Sequence, residues 1–116
     1  MYSSMKTEQN SGLPVACNLS ALDSRQSKRH DALAGELFTS LQGTHELLNG
    51  YELSLPGQSE WYLKLAEWVT LERLCCPFLN FEQGFNFDGK IWLRVTGDDN
   101  AKQFLKTYLD LVVRND

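Results

Sequence analysis

The alternation of apolar and polar positions along the chain predicts five β-strands. Apolar side chains recur at every second position in several short runs, which places them on one face of a sheet. Asn49-Gly50 and Asp88-Gly89 each separate two such runs, and these dipeptides are typical of tight β-hairpin turns. The predicted strands cover residues 13–19, 45–48, 51–55, 78–87 and 91–96.

Apolar residues at helical spacing predict three α-helices between and after these strands. The first has Ser20 as its N-cap, with Asp23 completing a weak capping box, and ends before Gly43. The second ends at Cys76, because Pro77 cannot continue a helix. The helices cover about residues 20–42, 58–76 and 101–112.

This order of elements, βαββαββα, predicts an α+β fold. Its first six elements match the ferredoxin-like βαββαβ core, which is extended by one strand and a C-terminal helix. In such a core the helices pack on one face of an antiparallel sheet. Residues 1–11 are polar and without periodicity, so we expect a disordered N-terminal tail followed by a single domain over residues 12–116.

Composition and charge exclude several classes of partner. The chain has 116 residues, of which 42% are hydrophobic and 22% charged, as in one globular domain. A net charge of −4 without a basic run argues against nucleic acid and against an anionic membrane surface. No segment approaches the roughly 20 apolar residues of a membrane span, and the first residues lack the apolar core of a secretory signal. We therefore expect a cytoplasmic protein.

Three cysteines, Cys17, Cys75 and Cys76, are the most distinctive chemistry of the sequence. An odd number with two adjacent members fits a reducing compartment better than a disulfide framework. In a ferredoxin-like arrangement the first strand and the second helix end at the same edge of the sheet. The three thiols are therefore expected to converge there.

Two polar residues lie on predicted apolar helix faces near these thiols. Glu72 is in the middle of the apolar face of the second helix, where a carboxylate needs a partner such as Arg25 or Arg29. His30 interrupts the apolar face of the first helix. Thiolates gathered with these groups favour a soft or borderline ion such as Zn(II), Cu(I), Hg(II) or As(III). The candidate metal ligands are Cys17, Cys75, Cys76, Glu72 and His30.

A structural role for the same residues is the alternative. Buried cysteines often only fill space, and the C-terminal end of a helix raises a thiol's pKa. Leu63, Leu71 and Leu74 lie outside the main apolar stripe of the second helix, and Trp92 faces away from the predicted core, which suggests a homodimer. Two functions remain open: a non-enzymatic, thiol-based soft-metal or metalloid binding protein, and a structural or protein-interaction module with core cysteines. No catalytic residue is indicated, and an enzyme is the least favoured interpretation.

The segment Leu71–Phe78, LERLCCPF, resembles a family of small, functionally uncharacterised bacterial proteins with an L-E-R-x-C-C-P-F motif. The similarity includes Ile91–Gly97, Val15–Ser20 and Asn49-Gly50-Tyr51, and it covers about residues 13–110. The resemblance implies no particular activity. It directs attention to the same cysteine segment.

Overall fold

The computed structural model describes residues 18–114, without the side chains of residues 19 and 111–114, and shows an α+β fold. Three helices and a four-stranded antiparallel sheet confirm this predicted class. A 3-10 helix at Leu19–Ala21 comes first. It is followed by α1 (Ser24–Thr39), β1 (Gly43–Leu47), β2 (Gly50–Leu55), α2 (Ser59–Cys75), β3 (Asn80–Phe85), β4 (Ile91–Thr96) and α3 (Asp99–Arg114).

Two predicted hairpins build the sheet. β1 pairs with β2 and β3 pairs with β4, as the two turn dipeptides indicate. The hairpins join side by side through β2 and β4, which gives the order β1-β2-β4-β3. α2 makes the connection from β2 to β3, two strands that run parallel on either side of β4.

This strand order differs from the ferredoxin-like order that we predicted. There, the strand before the first helix would lie beside the second strand of the first hairpin. In the structure, β2 is paired on both sides, with β1 and with β4. β4 fits beside β2 because their apolar faces are continuous, with Leu93 directly opposite Leu53. The predicted first strand lies outside the described residues up to residue 17, as does the predicted tail, and Leu19 begins the 3-10 helix.

The first helix begins later than predicted. Asp23, not Ser20, is the N-cap of α1, and it forms a reciprocal capping box with Gln26. Gln26 N–H donates to Asp23 Oδ1 (2.8 Å), and Asp23 N–H donates to Gln26 Oε1 (3.0 Å). The Ser20 hydroxyl is instead engaged with Asn18 Oδ1 at 2.6 Å. Local hydrogen bonding therefore decides where the helix starts.

All three helices contribute to one core on one face of the sheet. That face carries alternate residues of β2 and β4, and the buried core residues are Leu22, Leu33, Leu37, Phe38, Leu53, Leu55, Leu65, Trp68, Leu71, Cys75, Cys76, Leu79, Ile91, Leu93, Val95, Ala101, Leu105 and Leu109. Within the part of the chain that is described, no helix is both long and apolar enough to cross a membrane.

Trp92 lies on the opposite, open face of the sheet, as predicted, but it is covered within its own chain. The Arg94 guanidinium stands 4.2 Å from the centre of its ring. On the neighbouring strand Gly84 leaves space for the indole, since a Cβ there would approach the ring to 2.5 Å. Trp92 is consequently half-buried without a second chain.

Candidate functional site

The most distinctive feature of the core is a cluster of polar side chains between α1 and α2. His30 comes from α1, whereas Glu72 and Cys75 come from the end of α2, and Cys76 is its C-cap. His30 is 7% exposed, Glu72 is 4% exposed and both cysteines are fully buried. Charged groups are rarely buried so deeply unless they are paired.

Glu72 is the centre of this cluster. Its Oε1 atom lies 2.6 Å from His30 Nε2. The contact pairs the imidazole with the carboxylate, to which an Nε2–H group of His30 would donate. The predicted alternative partner Arg29 instead makes a bidentate pair with Glu67, with both contacts at 2.9 Å. The buried carboxylate is therefore paired with a histidine and not with that arginine.

Helical spacing brings both cysteine sulfurs to the same carboxylate. Residues three and four positions after Glu72 lie on its side of the helix. Cys75 Sγ is 3.8 Å from Glu72 Oε1, and Cys76 Sγ is 3.4 Å from Oε2. The Cys75 thiol also faces the backbone carbonyl oxygen of Glu72 at 3.4 Å.

The two neighbouring sulfurs are in different chemical states. Cys75 is a free thiol, and Cys76 is disulfide-bonded. The odd, adjacent pattern of cysteines did not predict a disulfide. Cys17, the remaining candidate ligand, lies outside the described residues.

Both the His30 and the Cys75 pKa values are raised, which favours the charged form of the imidazole and the neutral form of the thiol. The hydrogen bond to Glu72 raises the pKa of His30 above its ordinary value, although burial opposes this. Burial, followed by the nearby Glu72 charge, raises the pKa of the Cys75 thiol to about 12. Cys75 is therefore protonated at neutral pH in this state, which does not suit a catalytic nucleophile.

Three of the predicted ligands lie close enough to share one ion. A ring nitrogen of His30, a carboxylate oxygen of Glu72 and Cys75 Sγ all lie within 4.8 Å of one another. Ligands on one tetrahedral zinc ion are separated by about 3.3–3.8 Å. His30 Nε2 and Glu72 Oε1 are 2.6 Å apart, which is the distance of a hydrogen bond. An ion bound between them would replace the proton of that hydrogen bond.

Aromatic residues surround the cluster, and the sequence did not identify two of them as its neighbours. The His30 ring stacks on Trp68, with centroids 6.1 Å apart and planes at 18°. Trp68 lies on the same helix face as Glu72, and this shared face was the sequence signal that could have identified it as a neighbour of the site. Tyr108 of α3 has its pKa raised by burial and by the charge of Glu72. No local pattern could connect a residue of the last helix with this site.

A small, partly open pocket of about 20 Å³ adjoins Glu72, large enough for one water molecule. Its walls are otherwise mostly apolar and include Trp68, Phe104 and Tyr108. The indole N–H of Trp68 has no hydrogen-bond partner among the described residues. An ion held by three side chains takes its fourth ligand from water or from a further residue.

Comparisons of the chain with protein-family models, with curated proteins and with solved structures found no match. The chemistry of the cluster is therefore the basis for assigning a function.

Proposed function

We propose that this protein is a non-enzymatic, cytoplasmic metal-binding protein that holds one borderline ion, Zn(II) above all, between α1 and α2. The ligands are His30, Glu72 and Cys75. One observation carries the proposal: an imidazole nitrogen, a carboxylate oxygen and a thiol sulfur lie mutually within 4.8 Å in the protein interior.

The mixture of donor atoms supports zinc over the softer ions. Zn(II) accepts nitrogen, oxygen and sulfur ligands together, whereas Cu(I) prefers sulfur ligands. The binding reaction releases protons, because zinc takes the imidazole as a neutral ligand and the thiol as a thiolate. A protonated Cys75 in a closed core does not support turnover.

Zinc titration of the protein tests this function. We expect one equivalent of Zn(II) to bind, measured by competition with a chromophoric chelator, and Co(II) to give a sulfur-to-cobalt charge-transfer band. His30→Gln and Cys75→Ala should each weaken binding by at least about 100-fold, since even second-shell changes cost 10–100-fold.

Matched substitutions control for altered folding. His45, the other histidine, is exposed on β1, and Glu67 is exposed on α2, so His45→Gln and Glu67→Gln should bind zinc as the wild type does. Circular dichroism of each variant without metal verifies the fold. Equal zinc affinity for His30→Gln and His45→Gln would exclude the proposed ligand set.

A self-associating interaction module is the second candidate, and exposed leucines on α2 favour it. Leu71 is buried, but Leu63 is 70% exposed and Leu74 is 43% exposed. They are eleven residues apart, which places them on one side of the helix. In a homodimer these two leucines would be covered by the partner chain.

Light scattering at micromolar concentration tests the homodimer. The wild type should have twice the 13.2 kDa mass of the chain. The double substitution Leu63→Asp, Leu74→Asp should give the single-chain mass, because it places charges in the interface. Lys28→Asp, an exposed change on α1, should leave the dimer intact. A wild type that runs as a monomer excludes this candidate.

A further inference from the structure

A second, larger pocket lies between the end of α2 and the start of the edge strand β3. Its volume is about 310 Å³, within the range of about 300–1,000 Å³ that small-molecule sites occupy. Leu79 and Phe81 line both this pocket and the small pocket beside Glu72, so they form a wall shared by the two. The residues that line the larger pocket are Val69, Arg73, Pro77, Leu79, Asn80 and Phe81.

The packing of α2 on β3 closes one end of their interface and leaves the pocket at the other. At the closed end, Tyr62 and Phe85 stack with ring centres 4.4 Å apart, and the Gln83 side-chain amide donates to the Tyr62 carbonyl oxygen at 3.2 Å. The pocket lies at the opposite end, where the chain turns from α2 into β3. Leu79 is buried there, whereas Arg73 is exposed. The pocket therefore has an apolar floor and a charged rim.

Arg73 is the only charged residue that lines this pocket. Within the described part of the chain its side chain makes no ion pair or hydrogen bond, whereas Arg29 is paired with Glu67 and Arg94 with Glu52. A guanidinium group presents parallel N–H donors in one plane, which match the two oxygens of a carboxylate. The pocket therefore offers a positive charge that no carboxylate of the described residues neutralises.

The other lining residues indicate which class of anion would fit. Four of the six are apolar, and the Asn80 side-chain amide can donate a further hydrogen bond to an oxygen atom. A phosphate group carries nearly two negative charges at neutral pH. The single Arg73 charge is matched better by a carboxylate, and the apolar walls are matched better by a ligand with an apolar body.

We propose that the pocket between α2 and β3 binds a small organic monocarboxylate: Arg73 pairs with its carboxylate, and its apolar body lies against Leu79 and Phe81. The contact with Leu79 and Phe81 removes apolar surface of both ligand and protein from water. The pair with Arg73 fixes the orientation of the ligand. This pocket is separate from the proposed zinc site, and its occupation does not require zinc.

Nuclear magnetic resonance titration of isotopically labelled protein with benzoate, in the presence of a metal chelator, tests the site. Benzoate joins one carboxylate to an apolar ring. We expect saturable shifts of the Arg73 Nε–H and Asn80 amide signals with a Kd of about 1 mM or lower. Benzamide has the same ring without the charge and should bind at least about 10-fold more weakly. Inorganic phosphate, which has no apolar body, should also bind more weakly than benzoate.

Substitutions of arginine locate the binding. Arg73→Gln should weaken benzoate binding by at least about 10-fold. Arg25→Gln makes the same change at an exposed arginine of α1 that does not line the pocket, and it should leave the affinity unchanged. Arg73→Lys keeps the positive charge that stabilises the last turn of α2 but loses the planar pair of donors. It should unfold as the wild type does and bind benzoate about 3-fold or more weakly.

Several results would overturn this site. An absence of shifts at tens of millimolar benzoate would show that the pocket takes no carboxylate. Equal benzoate affinity of the wild type and Arg73→Gln would exclude Arg73 as the partner of the anion. Equal affinity for benzoate and benzamide, or for benzoate and phosphate, would exclude the proposed ligand class.

The proposed source of the carboxylate is a free acid and not the end of a peptide chain. Acetyl-glycyl-phenylalanine ends in a carboxylate as a peptide does, and we expect it to bind no more tightly than benzoate. Tighter binding of this dipeptide by about 10-fold or more would overturn the assignment to a free acid. Zinc titration remains the separate test of the proposed function, because His30, Glu72 and Cys75 do not line this pocket.

Discussion

Glu72→Ala is expected to lower the free energy of unfolding by about 3 kcal/mol at pH 6, because it leaves His30 buried without its partner. The lost contact is the 2.6 Å pair between two side chains that are each less than a tenth exposed. Urea unfolding with a metal chelator present, and with the oxidation state held constant, measures the change. Glu67→Ala removes an exposed pair with Arg29 and should cost less than about 1 kcal/mol.

Urea unfolding at several pH values should show how the stability contributed by the His30–Glu72 pair changes with pH. The folded pKa of His30 is raised above its unfolded value of about 6.5, so the stabilisation is fully present below that pH. It is lost as the pH rises through the raised folded pKa. Wild-type stability should therefore fall with rising pH, and His30→Gln should remove this slope while His45→Gln retains it. A flat wild-type profile would contradict the ion pair.

Gly50→Ala is expected to destabilise the protein by about 3 kcal/mol, because backbone atoms occupy the space of its missing side chain. A Cβ at Gly50 would lie 2.0 Å from the Val95 carbonyl oxygen and 2.8 Å from Thr96 Cα. Neither atom can move without disturbing the pairing of β2 with β4. Steric insertion into packed interiors costs about 1–3 kcal/mol, and backbone contacts place this site at the upper end.

Gly35→Ala is the matched control for that substitution. Gly35 lies in the exposed part of α1, and nothing stands within 4 Å of its missing Cβ. Alanine there should raise the free energy of unfolding by about 0.5–1 kcal/mol through helix propensity. Thermal unfolding of both variants measures the two opposite shifts. If the Gly50→Ala and Gly35→Ala variants melted at the same temperature, the close approach of backbone atoms to Gly50 would not limit the stability of the protein.

Local patterns predicted much of the fold. Pro77 located the end of α2 to within one residue, and the turn dipeptides located both hairpins. The role of Gly50 was different from the one its turn motif indicates, since it lies in β2 and avoids a clash there. Gly89, by contrast, does have the positive φ of 89° that favours glycine.

The order of the strands in the sheet could not be predicted from local sequence patterns. Pairing of β2 with β4 joins residues about 40 positions apart, and no periodicity within either strand specifies its neighbour.

The candidate site was partly predictable from the sequence. His30 and Glu72 each interrupt an apolar helix face, and two buried polar groups in one small core tend to satisfy each other. The disulfide of Cys76 had no such signal.

The sheet order has a consequence for how the chain assembles. Each half of the sheet is a hairpin whose strands are close in sequence, so its ordering closes only a short loop. The seam between β2 and β4 instead closes a loop that contains all of α2. Most of the entropic cost of folding therefore falls on the pairing of β2 with β4. We expect the residues of these two strands to govern the folding rate more than the hairpin turns do.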